Sequence, residues 1–166
     1  MANSLQLLGV GVFPSNADSV DFVDIPQNFR DLQVIATWGD NTNEILAVRF
    51  NDISTSTYGT STIFNNAGTM SGANRASGTY IQAAGSGYAI TGWNSYPGEV
   101  MIMDISEYSS TNKAKSLIIR GGGAVGGLHM SIANWSGTSA ITKISIYSNN
   151  ASVILAGSLF ELWGIT

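Results

Sequence analysis

The segment Asp31 to Trp38, DLQVIATW, carries the pattern that decides the fold of this chain. Its apolar side chains, Leu32, Val34 and Ala36 followed by Trp38, recur at every second position. Since successive side chains of an extended strand point to opposite faces, this spacing places all four on one side of a β-strand. The stretch therefore predicts a strand with one face turned toward a core.

Comparable apolar stretches, separated by turn-forming residues, follow one another along most of the chain. No segment shows helical periodicity over three turns, and strands do not alternate with helices, which argues against a parallel α/β sheet. Roughly ten strands punctuated by turns predict an all-β fold, an antiparallel and jelly-roll-like β-sandwich. Besides Asp31 to Trp38, the predicted strands are Leu5 to Val12, Ser19 to Ile25, Ile45 to Phe50, Gly78 to Ala84 paired with Tyr88 to Trp93, Val100 to Ile105, Lys115 to Arg120, Leu128 to Trp135, Ala140 to Tyr147 and Ser158 to Thr166.

The length of 166 residues predicts a single domain, 1–166. Within it, Asn51 to Ser77 is rich in Ser, Thr, Asn and Gly and predicts a polar loop excursion with one short strand near Ser61 to Phe64. Long irregular loops in compact domains often make functional or assembly contacts. We therefore expect this excursion to be a contact arm, with an assembly interface carried by Tyr58, Phe64, Trp93 and Tyr96.

The composition favours a protein held in an assembly. Charged residues make up 11% of the chain, against about 25% in an average soluble domain. The neutral, small polar residues that replace them suit close packing better than solubility by charge repulsion. The net charge of −4 and the seven scattered Lys and Arg argue against nucleic-acid binding. No apolar run reaches the length of about 18 residues that predicts a membrane helix.

Two motifs suggest cofactor chemistry, and neither has the context it requires. GGGAVG at Gly121 to Gly126 fits the dinucleotide fingerprint, but the next stretch, Leu128 to Trp135, predicts a strand where the fingerprint needs a helix. A flexible hairpin or a close chain crossing is the preferred interpretation. His129 is the only histidine and there are no cysteines, so no ordinary zinc site can form. We expect His129 on the polar face of a strand, and neither a cofactor nor a metal.

The acidic residues are candidates for calcium ligands and for catalytic groups. Asp18, Asp21 and Asp24, and the turn Asp40 to Glu44, do not fit an EF-hand loop, and solvated carboxylates are favoured. A glycosidase needs two carboxyls about 5–10 Å apart, and such a pair cannot be read from a sequence. We expect no enzyme. The carboxylates considered are Glu99, Asp104, Glu107 and Glu161, and the aromatic residues that could stack on sugars, although core or interface is expected, are Tyr58, Trp93, Tyr96, Tyr108 and Trp135.

Both ends of the chain resemble a module of tailed-phage virion proteins. Ala140 to Ile146, AITKISI, and Ala156 to Ile165, AGSLFELWGI, are similar to an ending of the form A-I-T-x-I-x-I, a short loop, then G-S-x-F-x-L-[YW]-G-I. Asp21 to Leu32, DFVDIPQNFRDL, is similar to F-x-x-I-P-x-x-[FY]-x-D-L near the start. Arg49 to Asn51, followed by Tyr58, resembles R-F-N-G-D-x-x-x-x-Y, but Asp52 follows Asn51 directly without the Gly.

The resemblance implies a virion structural protein made in the host cytoplasm and located on the particle surface. Decoration, fibre and tail proteins all carry this module, so several functions remain open. The first is a capsid decoration, or cement, protein that binds the major capsid protein or other virion proteins as a homotrimer. The alternatives are a receptor- or carbohydrate-binding head module of a tail or fibre and, more remotely, a glycan hydrolase. The chain shows no stalk repeat, which favours a standalone decoration protein.

Overall fold

Twelve β-strands and no helix make up the regular structure of the described residues. The computed structural model describes residues 4–39, 45–66, 69–84, 98–123, 127–149 and 153–166. The strands are β1 (Leu5–Val12), β2 (Ser19–Phe22), β3 (Asp31–Trp38), β4 (Leu46–Phe50), β5 (Tyr58–Asn66), β6 (Thr69–Gly78), β7 (Ile81–Ala84), β8 (Glu99–Ser106), β9 (Lys115–Gly123), β10 (Leu128–Trp135), β11 (Ile144–Ser148) and β12 (Leu159–Ile165).

These strands form two antiparallel sheets of unequal size. The larger has eight strands in the order β1-β12-β3-β8-β9-β10-β5-β6, and the smaller has four in the order β2-β11-β4-β7. The predicted antiparallel β-sandwich is confirmed. The predicted bounds of β1, β3 and β10 agree with the structure, whereas the predicted strand Tyr88 to Trp93 lies outside the described residues.

The core lies between the two sheets, where each sheet contributes alternate side chains. In β3, the period-two set that begins at Leu32 is fully buried, as the sequence predicts. In β11, Ile144 and Ile146 point into the core, whereas Ser145 and Tyr147 lie on the outer face. One continuous cluster results, and its members from the two sheets include Leu32, Val34, Leu46, Val48, Phe50, Met101, Met103, Ile105, Ile119, Trp135, Ile144, Ile146, Phe160 and Leu162.

The predicted loop excursion at 51–77 is wrong for most of its length. From Tyr58 onward the chain forms the hairpin β5–β6, in which Phe64 pairs with Ser71 and Ser61 with Asn74. The strand signal was weak because only the two aromatic residues at the ends of the inward set, Tyr58 and Phe64, are strongly apolar, while Thr60 and Thr62 between them are polar yet also buried. β-branched Thr fits extended strands well. The edge strand β6 is exposed along most of its length.

The side chain of Asn51 helps to hold this fold together. The Asn51 side chain joins the turn after β4 to the segment before β11: its Oδ1 accepts hydrogen bonds from the backbone N–H of Thr142 (2.9 Å) and Lys143 (3.1 Å), and its Nδ2 donates to the Ala140 carbonyl (2.8 Å). Asn51 and Asp52 have φ angles of 52° and 58°. Asn and Asp tolerate this left-handed conformation, so the turn forms without a glycine.

Tyr58 and Phe29 make further contacts that close the two ends of the sandwich. The Tyr58 hydroxyl accepts a hydrogen bond from Phe50 N–H (3.0 Å) and donates toward the Ile53 carbonyl (3.0 Å). At the other end, the Phe29 ring lies directly over Gly164, where a Cβ would approach the ring to 2.6 Å. Tyr58 and Gly164 therefore have structural roles.

Candidate interaction surface

The structure buries the two described residues that the sequence suggested as interface anchors. Tyr58 is 1% exposed and Phe64 is 7% exposed, and both point into the sandwich from β5. The prediction that their rings anchor an exposed contact arm is therefore corrected: alternation along β5 turns Ile63, not Phe64, to the outside. The other two candidates, Trp93 and Tyr96, lie outside the described residues.

The central feature of the outer surface is strand β10, on which three apolar side chains face the solvent and two polar side chains face the core. On β10, the apolar residues Leu128, Met130 and Ile132 face outward, whereas His129 and Ser131 face the core. Because Trp135 is buried against Phe50 and Tyr58, the parity of the strand directs every odd-numbered residue of β10 inward. His129 is therefore only 2% exposed, which corrects the expectation that it lies on a polar outer face.

Neighbouring strands extend this apolar surface across the eight-stranded sheet. Met130 lies opposite Ile63 of β5, and Ile132 lies opposite Ile118 of β9, so the side chains form cross-strand pairs. Strand β1 continues the surface at the far edge. We call it the open face and define it by its exposed apolar residues, which are 43–66% exposed: Leu5, Leu7, Val10, Val12, Ile63, Met70, Val100, Ile118, Leu128, Met130 and Ile132.

The charges cancel locally on the half of the open face that runs from β8 to β6. Among the outward residues of β8, β9, β10, β5 and β6 that the structure describes, the charged ones are Asp104 and Arg120, and they form an ion pair with each other. The Asp104 carboxylate also accepts a hydrogen bond from Gln33 Nε2 (2.6 Å). This half of the face is therefore apolar and electrically neutral. A shallow cavity of about 240 Å³ lies on it, lined by Ser61, Thr62, Ile63, Met130 and Ile132.

The outer surface of the four-stranded sheet has the opposite character, and we call it the polar face. The Arg49 guanidinium lies 4.8 Å from the centre of the Tyr147 ring, and Lys143 Nζ contacts Asp21 (3.1 Å) and Asp52 (2.8 Å). Burial raises the pKa of Tyr147 to about 12, although Arg49 acts in the opposite direction. A concavity of about 390 Å³ lies here, lined by Asp18, Ser19, Asp21, Arg49, Asp52, Ser54, Lys143, Ser145, Tyr147 and Ser148.

The carboxylates considered for glycoside hydrolysis have separate environments. Glu99 is buried and faces inward from β8, whereas Asp104, five residues later, faces outward, so the two lie on opposite sides of the sheet. Glu107 binds Lys113 Nζ (2.8 Å for each carboxylate oxygen), and Glu161 accepts a hydrogen bond from the Trp163 indole (3.3 Å). Asp104 and Glu107 are thus each paired with a cation.

The glycine-rich motif serves the packing of the sheet. Gly121 lies opposite His129, and a Cβ at Gly121 would approach the Val100 carbonyl oxygen to 2.5 Å and His129 Cε1 to 2.7 Å. Glycine therefore makes room for the buried imidazole, whose pKa is lowered by burial while a backbone hydrogen bond at Ala83 acts in the opposite direction. The β9–β10 pairing confirms the predicted hairpin, because a strand follows the motif where a dinucleotide site needs a helix.

The buried lysine Lys115 also has a structural role. Its Nζ donates to the backbone carbonyls of Ser110 (2.8 Å), Lys113 (2.7 Å) and Thr138 (3.3 Å). Burial lowers the pKa of this amine, while the charge of Glu107 raises it. Because the ammonium protons are directed at these carbonyls, Lys115 stabilises the loops at this end of the sandwich.

Within the described ranges, no cluster of three or more His, Asp or Glu side chains is placed to hold a metal ion. The acidic turn Asp40 to Glu44 lies outside those ranges. In the same part of the chain, no helix has the length and apolar character needed to cross a membrane.

Comparison with known proteins adds no assignment. No protein family matches the chain, and neither a curated protein nor a solved structure shows significant similarity to it. Any functional inference therefore depends on the chain's own residues and on the surfaces that they form.

Proposed function

We propose that this chain is a non-enzymatic virion structural protein that decorates and reinforces a phage capsid. The open face is the observation that carries the proposal. Isolated soluble proteins seldom leave a continuous apolar patch of more than a few hundred Å² exposed to water, and larger patches mark interaction sites. A protein whose function is to bury such a surface against neighbours stabilises an assembly without chemistry.

The low charge of the chain supports the same function. With 11% charged residues, little repulsion opposes the close approach of many copies on a particle. A symmetric array adds up contacts that are individually modest, so a cement protein needs no single strong site. Its partner under this proposal is the major capsid protein or another virion protein.

One observation favours a second function, a receptor- or carbohydrate-binding module. The polar face combines a concave surface with Arg49, Lys143 and an aromatic ring, Tyr147. Charged groups and aromatic rings in a concavity are the means by which proteins orient small polar ligands. This face, rather than the buried Tyr58, Tyr108 and Trp135, is where a glycan would bind.

The two functions are separated by comparing particles with and without the protein. Under the decoration proposal, particles lacking it should release their DNA at a lower temperature and adsorb to cells at the normal rate. The test also uses particles that carry Arg49→Ala with Tyr147→Ala, which alters only the polar face. Those particles should keep both shell stability and adsorption.

The opposite result would replace the proposal. If particles without the protein kept full shell stability but lost adsorption, and the polar-face variant reproduced that loss, the chain would be a receptor-binding module. Full stability and normal adsorption in both preparations would contradict both functions.

A further inference from the structure

We propose that the occupant of the open face is another copy of the same chain, so that the eight-stranded sheets of neighbouring subunits pack against each other. This inference rests on the proposed function and deepens it, because it assigns the open face to contacts between copies of the chain. Since one identical face covers the other, the contact is two-fold and predicts a dimer in place of the homotrimer expected from the sequence. Three features of the open face support it: the distribution of its apolar side chains, its area and its charge.

The distribution of side chains indicates that the open face is buried in the assembled protein. A sheet with one solvated side normally carries its polar residues outward. On β10 the outward set Leu128, Met130 and Ile132 is more apolar than the inward pair His129 and Ser131. This arrangement is expected when both sides of the strand are covered, one by the sandwich core and the other by a partner.

The area of the face matches what a stable interface needs. Eight strands about 4.8 Å apart and about 26 Å long give the eight-stranded sheet a face of roughly 1,000 Å². A specific interface of standard size buries about 800 Å² on each partner. One neighbouring sheet, packed about 10 Å away as in a sandwich, is therefore sufficient to cover the face.

The charge of the face suits a copy of itself. A surface with a net charge would repel its own copy, and it would instead favour a partner of opposite charge. On the half of the face formed by β8, β9, β10, β5 and β6, Arg120 and Asp104 neutralise each other within one subunit, so an identical half brings no unpaired charge into the contact. The outward carboxylate of Glu161 on β12 lies outside this half. The exposed Ile132 and the adjoining cavity provide both a projecting side chain and a recess, which lets a surface complement its copy.

The test is sedimentation equilibrium of the full chain with one substitution on each side of the molecule. Wild-type protein should sediment at twice the mass of the 17.5-kDa chain. Ile132→Asp should weaken self-association at least about 30-fold, the effect of losing a central interface contact. Val23→Asp is the matched control, because Val23 is 58% exposed against 63% for Ile132 and follows β2 of the four-stranded sheet. It should leave the mass unchanged.

A second open-face variant, Ile63→Asp, tests whether the effect of Ile132→Asp belongs to the face and not to that one position. Circular dichroism establishes that each variant keeps its β-structure. A trimer dispersed by both open-face variants would support the face and correct the two-fold contact. A wild-type monomer at high micromolar concentration, or an oligomer that neither variant disperses, would overturn the inference.

The inference and the proposed function can fail separately. A wild-type monomer that still binds and stabilises particles would refute the self-contact and leave the decoration function intact. An oligomer that Ile132→Asp disperses, but that neither binds nor stabilises particles, would support the self-contact and refute the decoration function.

Discussion

The outer surfaces of the two sheets differ in polarity: one is largely apolar and the other carries charged side chains. The open face of the eight-stranded sheet carries eleven apolar residues that are 43–66% exposed, and on its β8–β6 half the charges are an internally paired Arg120 and Asp104. The polar face of the four-stranded sheet carries Arg49, Lys143 and three Asp residues around a concavity. A single sandwich thus has one charged outer side and one largely apolar outer side, although both sheets supply the same core.

The largest expected effect distinguishes the core side of β10 from its open side. In a monomeric Ile63→Asp background, Trp135→Ala should lower the free energy of unfolding by about 3–5 kcal/mol, because it removes a large buried ring. Ile132→Ala in the same background should change it by no more than about 0.5 kcal/mol, since the side chain is mostly exposed in the monomer. Urea unfolding measures both.

Equal losses of unfolding free energy for Trp135→Ala and Ile132→Ala would contradict the distinction between the core side and the open side of β10. They would mean that Ile132 is packed within its own subunit, and the open face would then be part of the core rather than a surface for partners.

A smaller effect concerns the polar face at high pH. Because burial raises the pKa of Tyr147 from 10 to about 12, the folded protein favours the neutral phenol. The resulting stabilisation is complete below pH 10 and is lost as the pH rises through about 12. Tyr147→Phe should therefore lose less stability than wild type over this window. Thermal unfolding at a series of alkaline pH values, with spectroscopic titration of tyrosinate, checks the prediction.

An identical alkaline loss in wild type and Tyr147→Phe would show that Tyr147 titrates like a solvated phenol. Tyr58 and Tyr108, whose pKa values burial also raises, remain in both proteins and act as an internal reference.

Most of the fold was predictable because apolar and polar residues alternate clearly in the sequence of strands that contain large apolar side chains. β3 and β10 were predicted with their observed bounds, and the hairpin that follows Gly121 was preferred over a cofactor loop on the same basis. The hairpin β5–β6 was missed because Thr and Ser occupy its inward positions, so a buried strand had the composition of a loop. Burial of hydroxyls was possible there because Thr62 and Ser131 hydrogen bond to each other at 2.6 Å.

The candidate site was less predictable, since alternation alone does not say which side of a strand is inside. LHMSIANW alternates, but its apolar set Leu128, Met130 and Ile132 would ordinarily be assigned to the core. Trp135 reverses that assignment, and its parity is the one signal within the segment that could have revealed the open face. The choice of Tyr58 and Phe64 as contact anchors failed for the same reason. Large aromatic residues are expected at contacts, but the alternation along β5 places both of these rings in the core.

The most direct measurement of the central claim is oxidation of the methionines in the assembled protein. Met130 lies on the open face, whereas Met101 and Met103 are fully buried in the core and serve as internal controls. Exposed thioethers oxidise to the sulfoxide more readily than buried ones. Met130 should be protected in assembled wild type and oxidised in the Ile132→Asp monomer, while Met101 stays protected in both. Equal oxidation of Met130 in the assembled protein and the monomer would contradict the account.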